Sequence, residues 1–158
     1  ILEDDYFFLR GGGRRPWISG GLRVKIPTAS DFDCLGTGEL DFGPQAAILQ
    51  PIGERWFLMA EARYVVRGDP PGSDYRDTRW VSGGFQMRAG ERSYVSLILE
   101  ARQSAIRGRE SMRDLTVAFD RRLSPAVTFR SAVFAGLSDT AEDLGLSAGF
   151  SFRSAPGP

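Results

Sequence analysis

A two-residue alternation of apolar and polar side chains runs through nearly the whole chain, and it leaves little room for anything but strands. From Trp56 the sequence reads Trp-Phe-Leu-Met-Ala-Glu-Ala-Arg-Tyr-Val-Val-Arg. Trp56, Leu58, Ala60, Ala62, Tyr64 and Val66 share one parity, and Glu61, Arg63 and Arg67 share the other. Seven more segments repeat the split, in the neighbourhoods of 17–27, 39–50, 79–88, 95–102, 114–120, 127–135 and 144–153. Each would lay one apolar and one polar row on opposite faces of a pleated sheet. No stretch sustains a 3.6-residue period, so essentially no helix is predicted.

The connections alternate as regularly as the side chains. Pro51-Ile52-Gly53-Glu54, Ala89-Gly90-Glu91 and Leu123-Ser124-Pro125 are short and built from turn formers. Between them lie longer polar links at 27–38, 68–78, 104–111 and 138–142. Short turns at one end and long loops at the other describe an up-and-down antiparallel meander. The expected fold is therefore all-β: an up-and-down barrel with eight clear strands over 16–153. A further strand ends within 1–15, where Tyr6-Phe7-Phe8-Leu9 precedes three glycines, and the whole barrel would have roughly 8–12 strands. The tail 154–158 reads as disordered. Ile1 is not an initiator residue, and the chain reads as processed or truncated at its front end.

Alternation does not say which face looks inward. A soluble barrel would turn the apolar rows inside, and a membrane barrel would turn them toward lipid. Eight apolar rows of four or five residues overfill a small barrel. The opposite rows are rich in Gly, Ser and charges of both signs, which suits a narrow interior, and the segments have the nine to eleven residues or so that a tilted membrane strand needs. The membrane arrangement is expected, with Arg23, Lys25, Arg63, Arg67, Arg88, Arg102 and Arg130 facing the lumen alongside Glu39, Asp41, Glu61, Glu100, Asp114 and Asp120. Two aromatic belts are expected outside: Trp56, Tyr94, Phe150 and Phe152 near the short turns, and Phe42, Tyr64 and Trp80 near the long loops. Pro44 runs against this pattern, because a strand proline belongs at an edge or a bulge.

Composition closes off most other chemistry. The chain of 158 residues has no histidine, so it holds no Ser-His-Asp or Cys-His centre and no histidine-ligated metal. Cys34 stands alone, which excludes an internal disulfide and a cysteine-based metal site. Twenty basic residues, all but Lys25 arginine, balance twenty acidic ones, so no basic face for nucleic acid is expected. Glu39 and Asp41 lie two apart in one strand pattern, yet nothing else makes a hydrolase cleft, and the chain is read as no enzyme and as binding no cofactor or metal.

Gly149-Phe150-Ser151-Phe152-Arg153 is similar to the aromatic-x-aromatic ending that outer-membrane barrels show their assembly machinery. Three further segments carry a resemblance to a family of outer-membrane transporters named after a phenol-degradation pathway. They are Gly21-Leu22-Arg23-Val24-Lys25-Ile26-Pro27-Thr28, Gly36-Thr37-Gly38-Glu39-Leu40-Asp41-Phe42-Gly43, and Gly136-Leu137-Ser138-Asp139 running on to Gly145-Leu146. The resemblance spans about residues 17–153. Members usually have about twelve strands, so it implies two more hairpins ahead of this chain. It implies a bacterial outer-membrane location with the C-terminus in the periplasm, and passive passage of small solutes, aromatic or apolar ones among them; it carries over no catalytic residue.

The lipid bilayer and small-molecule solutes are then the expected partners. The alternative reading is a non-conducting structural or interaction barrel, a subunit of a larger outer-membrane assembly. Protein partners would meet it through the long loops at 28–35 and 67–76. The Arg67-Gly68-Asp69 triplet inside the second loop is not read as an adhesion motif, because Arg67 continues a strand pattern.

Overall fold

In a computed structural model the described residues are 2–9, 11–27, 39–69 and 75–152, with the side chains of 2–7 left aside. Nine strands form a single antiparallel sheet in strict chain order. They are β1 (Leu2–Leu9), β2 (Trp17–Lys25), β3 (Asp41–Ile52), β4 (Trp56–Val65), β5 (Thr78–Arg88), β6 (Ser93–Arg102), β7 (Met112–Arg122), β8 (Val127–Gly136) and β9 (Leu144–Phe152). No helix occurs among the described residues. The eight expected strands are all present, and the leading apolar run forms the ninth, pairing Leu2 with Val24 and Tyr6 with Gly20. Cys34, the glycines of 36–38, residues 70–74 and the tail beyond 152 lie outside the described residues.

The order of the sheet follows from its connections. β3 turns into β4 through Gly53-Glu54-Arg55, with Gly53 in the left-handed region at φ 68°. Pro51 and Ile52, expected in that turn, extend β3 instead and pair with Phe57 and Trp56. Pro51 costs no ladder bond there, because its nitrogen lies beyond Trp17, where β2 begins. Residues 89–92 and 123–126 make the other tight turns, and 11–16 lead into β2 at the same end. The described parts of the other links, 26–27, 39–40, 66–69, 75–77, 103–111 and 137–143, flank the strand ends at the opposite, long-loop end. There Tyr75 bridges Ile106, and the Arg76 guanidinium donates to the Ser104 carbonyl at 2.7 Å, tying two long loops together. β1 and β9 are the outer strands of the sheet; both run from the long-loop end toward the short turns, and they do not pair with each other.

Pro44 sits inside the sheet, between β2 and β4, rather than at an edge. Phe42 and Val66 exchange two backbone bonds (3.0 and 2.7 Å), and regular β3–β4 pairing resumes only at Gln45 and Arg63. The lapse falls on Pro44 because the missing N–H is the donor due to Tyr64. Beside it, a Cβ built on Gly43 would run into the Tyr64 carbonyl oxygen, so the strands approach closely where the ladder is broken. Gly43→Ala should therefore destabilise the fold by about 1.5 kcal/mol. Gly83→Ala, whose new Cβ meets only Met59 O at 3.7 Å, should stay within about 0.5 kcal/mol. Denaturant titration of the two variants side by side checks this.

The polarity of the sheet is inverted relative to a water-soluble sandwich. Among the described residues no hydrophobic side chain is buried; the buried ones with polar groups are Asp41, Gln45, Thr78 and Ser96, all on the more covered, inner face. The outer face carries Leu22, Ile48, Leu58, Val81, Phe85, Leu97, Leu99, Val117, Val133 and Leu146, all exposed. Register links these rows across the strands: Leu58 faces Phe85, Phe85 faces Leu97, and Leu97 faces Val117.

Candidate functional site: the charged inner face

Cross-strand register decides what the inner face brings together. Lys25 of β2 lies opposite Asp41 of β3, Arg63 of β4 opposite Trp80 of β5, and Trp80 opposite Arg102 of β6. Asp41 is the hub. Its carboxylate accepts from Lys25 Nζ at 3.1 Å, from Arg67 Nη1 at 3.4 Å and from the Gly68 backbone N–H at 3.3 Å. Arg63 grips Glu61, two residues along the same face, through Nε and Nη2 at 2.7 and 2.6 Å. The Arg63 guanidinium carbon also stands 4.4 Å from the centroid of the Trp80 ring, a cation–π distance. Asp41, Arg63 and Trp80, together with Arg23, Lys25, Arg67 and Arg102, line a cleft of about 290 Å³ at the long-loop end.

Below this cleft the inner face changes character. Trp17, Leu49, Met59 and Ile98 line an adjoining apolar cleft of about 440 Å³, with Ser19, Glu61, Ser82 and Gln86 at its polar margin. Toward the short turns charge returns. Arg130 meets Asp120 at 3.5 Å, and Arg88 lies 6.0 Å from the Phe57 ring. Three zones thus follow one another along the strands: a cationic mouth, an apolar waist and a mixed-charge foot.

The inward charges predicted on the strands all fall on the inner parity. Arg23, Lys25, Asp41, Glu61, Arg63 and Arg67 gather on one side of the sheet. Glu100 and Asp114 lie opposite each other on β6 and β7, Asp120 opposite Arg130, and Arg88 opposite Tyr94. Glu39 differs: it stands in a bend ahead of β3 rather than in the strand, its Cβ close to Gly68. The carboxylates of Glu39 and Asp41 therefore do not form a strand-spaced pair. Arg67-Gly68-Asp69 is spent internally, with Asp69 accepting from the Tyr75 N–H at 2.8 Å.

Two members of the expected aromatic belts belong on the other face. Trp80 is framed by Arg63 and Arg102, and Tyr94 by Arg88 and Asp120, so both point inward. The physical reason is parity: Val81 and Val95 face out, and the residue before each must face in. Phe42, Tyr64, Trp56, Phe150 and Phe152 do lie on the outer face and exposed. Tyr64 caps the long-loop end by donating to Asp77 at 2.7 Å, and Phe150 packs at 5.4 Å on Phe129 near the short turns.

The apolar waist was missed in the sequence, though its signal is there. Where the alternation gives way to unbroken apolar runs (Ile48-Leu49, Trp56-Phe57-Leu58-Met59, Leu97-Ile98-Leu99), both faces are apolar. Asp77, which holds both the Tyr64 hydroxyl and the Arg67 N–H (3.2 Å), had no sequence signal. Among the described residues no group of three or more Cys, Asp or Glu could hold a metal ion.

The chain matches no model of a known protein family, and no characterised protein matches its sequence.

Proposed function

We propose that the protein is a β-barrel of the bacterial outer membrane, acting as a passive channel for small solutes. The observation that carries this reading is the inverted polarity of the sheet. An apolar outer face joined across β3–β9 is costly in water, where contiguous apolar patches beyond a few hundred Å² are rare, and suits hydrocarbon. A face of ion pairs, glycines and small polar groups suits a wet interior. Short turns at one end, with long loops at the other, support an orientation in which the turns and the C-terminus face the periplasm. The motifs similar to outer-membrane phenol-pathway transporters cluster at the ends of β2, β3 and β8, beside the long loops, which supports the same orientation.

The mixed charges would make such a channel selective. Basic side chains predominate on β2 to β4, while Glu100 and Asp114 make β6–β7 acidic. A solute passing between them crosses a transverse field.

A second reading is favoured by the pairing itself. Asp41 with Lys25 and Arg67, Glu61 with Arg63, and Asp120 with Arg130 neutralise one another across the inner face. If these pairs fill the interior, the barrel is a non-conducting structural or interaction subunit.

Reconstitution in a planar lipid bilayer separates the readings, once heat-dependent gel migration has established folding. Discrete, reproducible conductance steps are expected. Insertion without conductance would favour the structural barrel. A protein that stays folded and soluble without detergent would overturn the membrane reading.

A further inference from the structure

We infer that the cationic mouth binds the carboxylate of a small organic anion whose aromatic or alkyl body lies along the apolar waist. This deepens the channel reading and rests on it, because it takes the inner face to be open to solutes.

Charge selects the head group. Of the described ionisable side chains lining the mouth, Arg23, Lys25, Arg63, Arg67 and Arg102 are cationic and only Asp41 is acidic. Two of the five have donors to spare. Arg67 Nε is buried without a hydrogen-bond partner, an arrangement that costs free energy until an acceptor arrives. Arg102 donates to Met112 Sδ at 3.7 Å and pairs with no carboxylate among the described residues. Planar guanidinium groups match a carboxylate's two oxygens better than a lysine does. The mouth, at about 290 Å³, has room for a group of a few heavy atoms.

The waist selects the body. Met59 follows Arg63 down the inner face of β4 by four residues, about 13 Å along the strand. The Trp80 ring and the wall of Trp17, Leu49, Met59 and Ile98 thus begin within one small molecule's length of the cations. A solute with both an anionic head and an apolar tail satisfies the two clefts at once. Inorganic anions meet only the first, and neutral hydrocarbons only the second.

The test uses the full chain folded in detergent, with 4-phenylbutyrate as the probe and calorimetry as the readout. Phenylbutyrate should bind at least about tenfold more tightly than the neutral 4-phenylbutanol, and more tightly than acetate. Its affinity should fall as salt rises, because a mouth open to water is screened. Arg102→Gln and Arg67→Gln should each weaken phenylbutyrate about tenfold; Arg102 holds no ion pair among the described residues, so its variant keeps the test valid if the other misfolds. Met59→Ser should weaken phenylbutyrate and leave acetate unchanged. Equal binding of the alcohol overturns the anionic head, equal binding of acetate overturns the apolar body, and no binding of phenylbutyrate overturns both. Binding with silent bilayers would retain this site and reject the channel. Conductance without phenylbutyrate binding would do the reverse.

Discussion

Leu97→Arg, folded into lipid vesicles and titrated with urea, should lose about 2–4 kcal/mol of stability relative to the parent chain. Leu97 lies midway along β6 on the outer face, 48% exposed, with Phe85 and Val117 opposite it in register. At that depth in a bilayer the guanidinium must be dragged through hydrocarbon or hold water beside it. The same substitution on a face bathed in water would stay within about 0.5 kcal/mol, because an exposed leucine has little to lose there. Arginine at Tyr64 or Trp56, near the strand ends, should cost only about 0–1 kcal/mol, since a long cation reaches the interface from those positions. The depth profile is the diagnostic. A flat profile across these three sites would sink the membrane assignment even if the protein folds well in detergent.

Asp41→Ala should cost about 2–3 kcal/mol and loosen the long-loop end first. The carboxylate is buried and collects three donors from two separate segments: Lys25 on β2, and Arg67 and the Gly68 N–H beyond β4. Removing it takes a shared acceptor away from two neighbouring cations. The cost stays below the full value for a buried pair because Lys25 and Arg67 remain 32% and 30% exposed and are partly solvated. Asp41→Asn keeps an acceptor for Gly68 and should lose about half as much. In amide exchange, the N–H groups of Val66, Arg67 and Gly68 should lose protection before those around Gln86 and Ser96, whose own bond (3.2 Å) lies far down the inner face. Uniform loss of protection along all nine strands would refute the hub role of Asp41.

The strands were legible because period two is a strong signal when one face is apolar throughout. Val95, Leu97, Leu99 and Ala101 fix both the existence and the orientation of β6, and β7 follows the same way from Leu115, Val117 and Phe119. The ninth strand was harder, since Leu2–Leu9 mixes Glu3, Asp4 and Asp5 with apolar residues and carries no clean alternation. Side-chain direction was legible wherever it was followed strictly. Trp80 and Tyr94 were misplaced because an aromatic near a strand end resembles an interfacial anchor, whereas parity had already assigned both to the inner face. The site was legible residue by residue and not as an assembly. Nothing local to Arg67 or Asp41 says that a carboxylate and a cation 26 positions apart will meet, because that depends on register along the whole β3–β4 hairpin. Pro44 shows the converse: its missing donor was visible, but the neighbouring Gly43 that lets β4 close over the gap acquires its meaning only from the fold.

The described strands number nine, which is odd. With β1 and β9 running the same way, two upright copies of this sheet placed side by side in one membrane would offer each other parallel edges, a weaker pairing than every other seam in the structure. A single strand running the opposite way satisfies both edges in antiparallel fashion at once. The direction of these two edges thus acts as a filter on what can extend the described sheet: it is biased against edge-to-edge pairing with a second copy and toward an oppositely directed strand, from this chain or another.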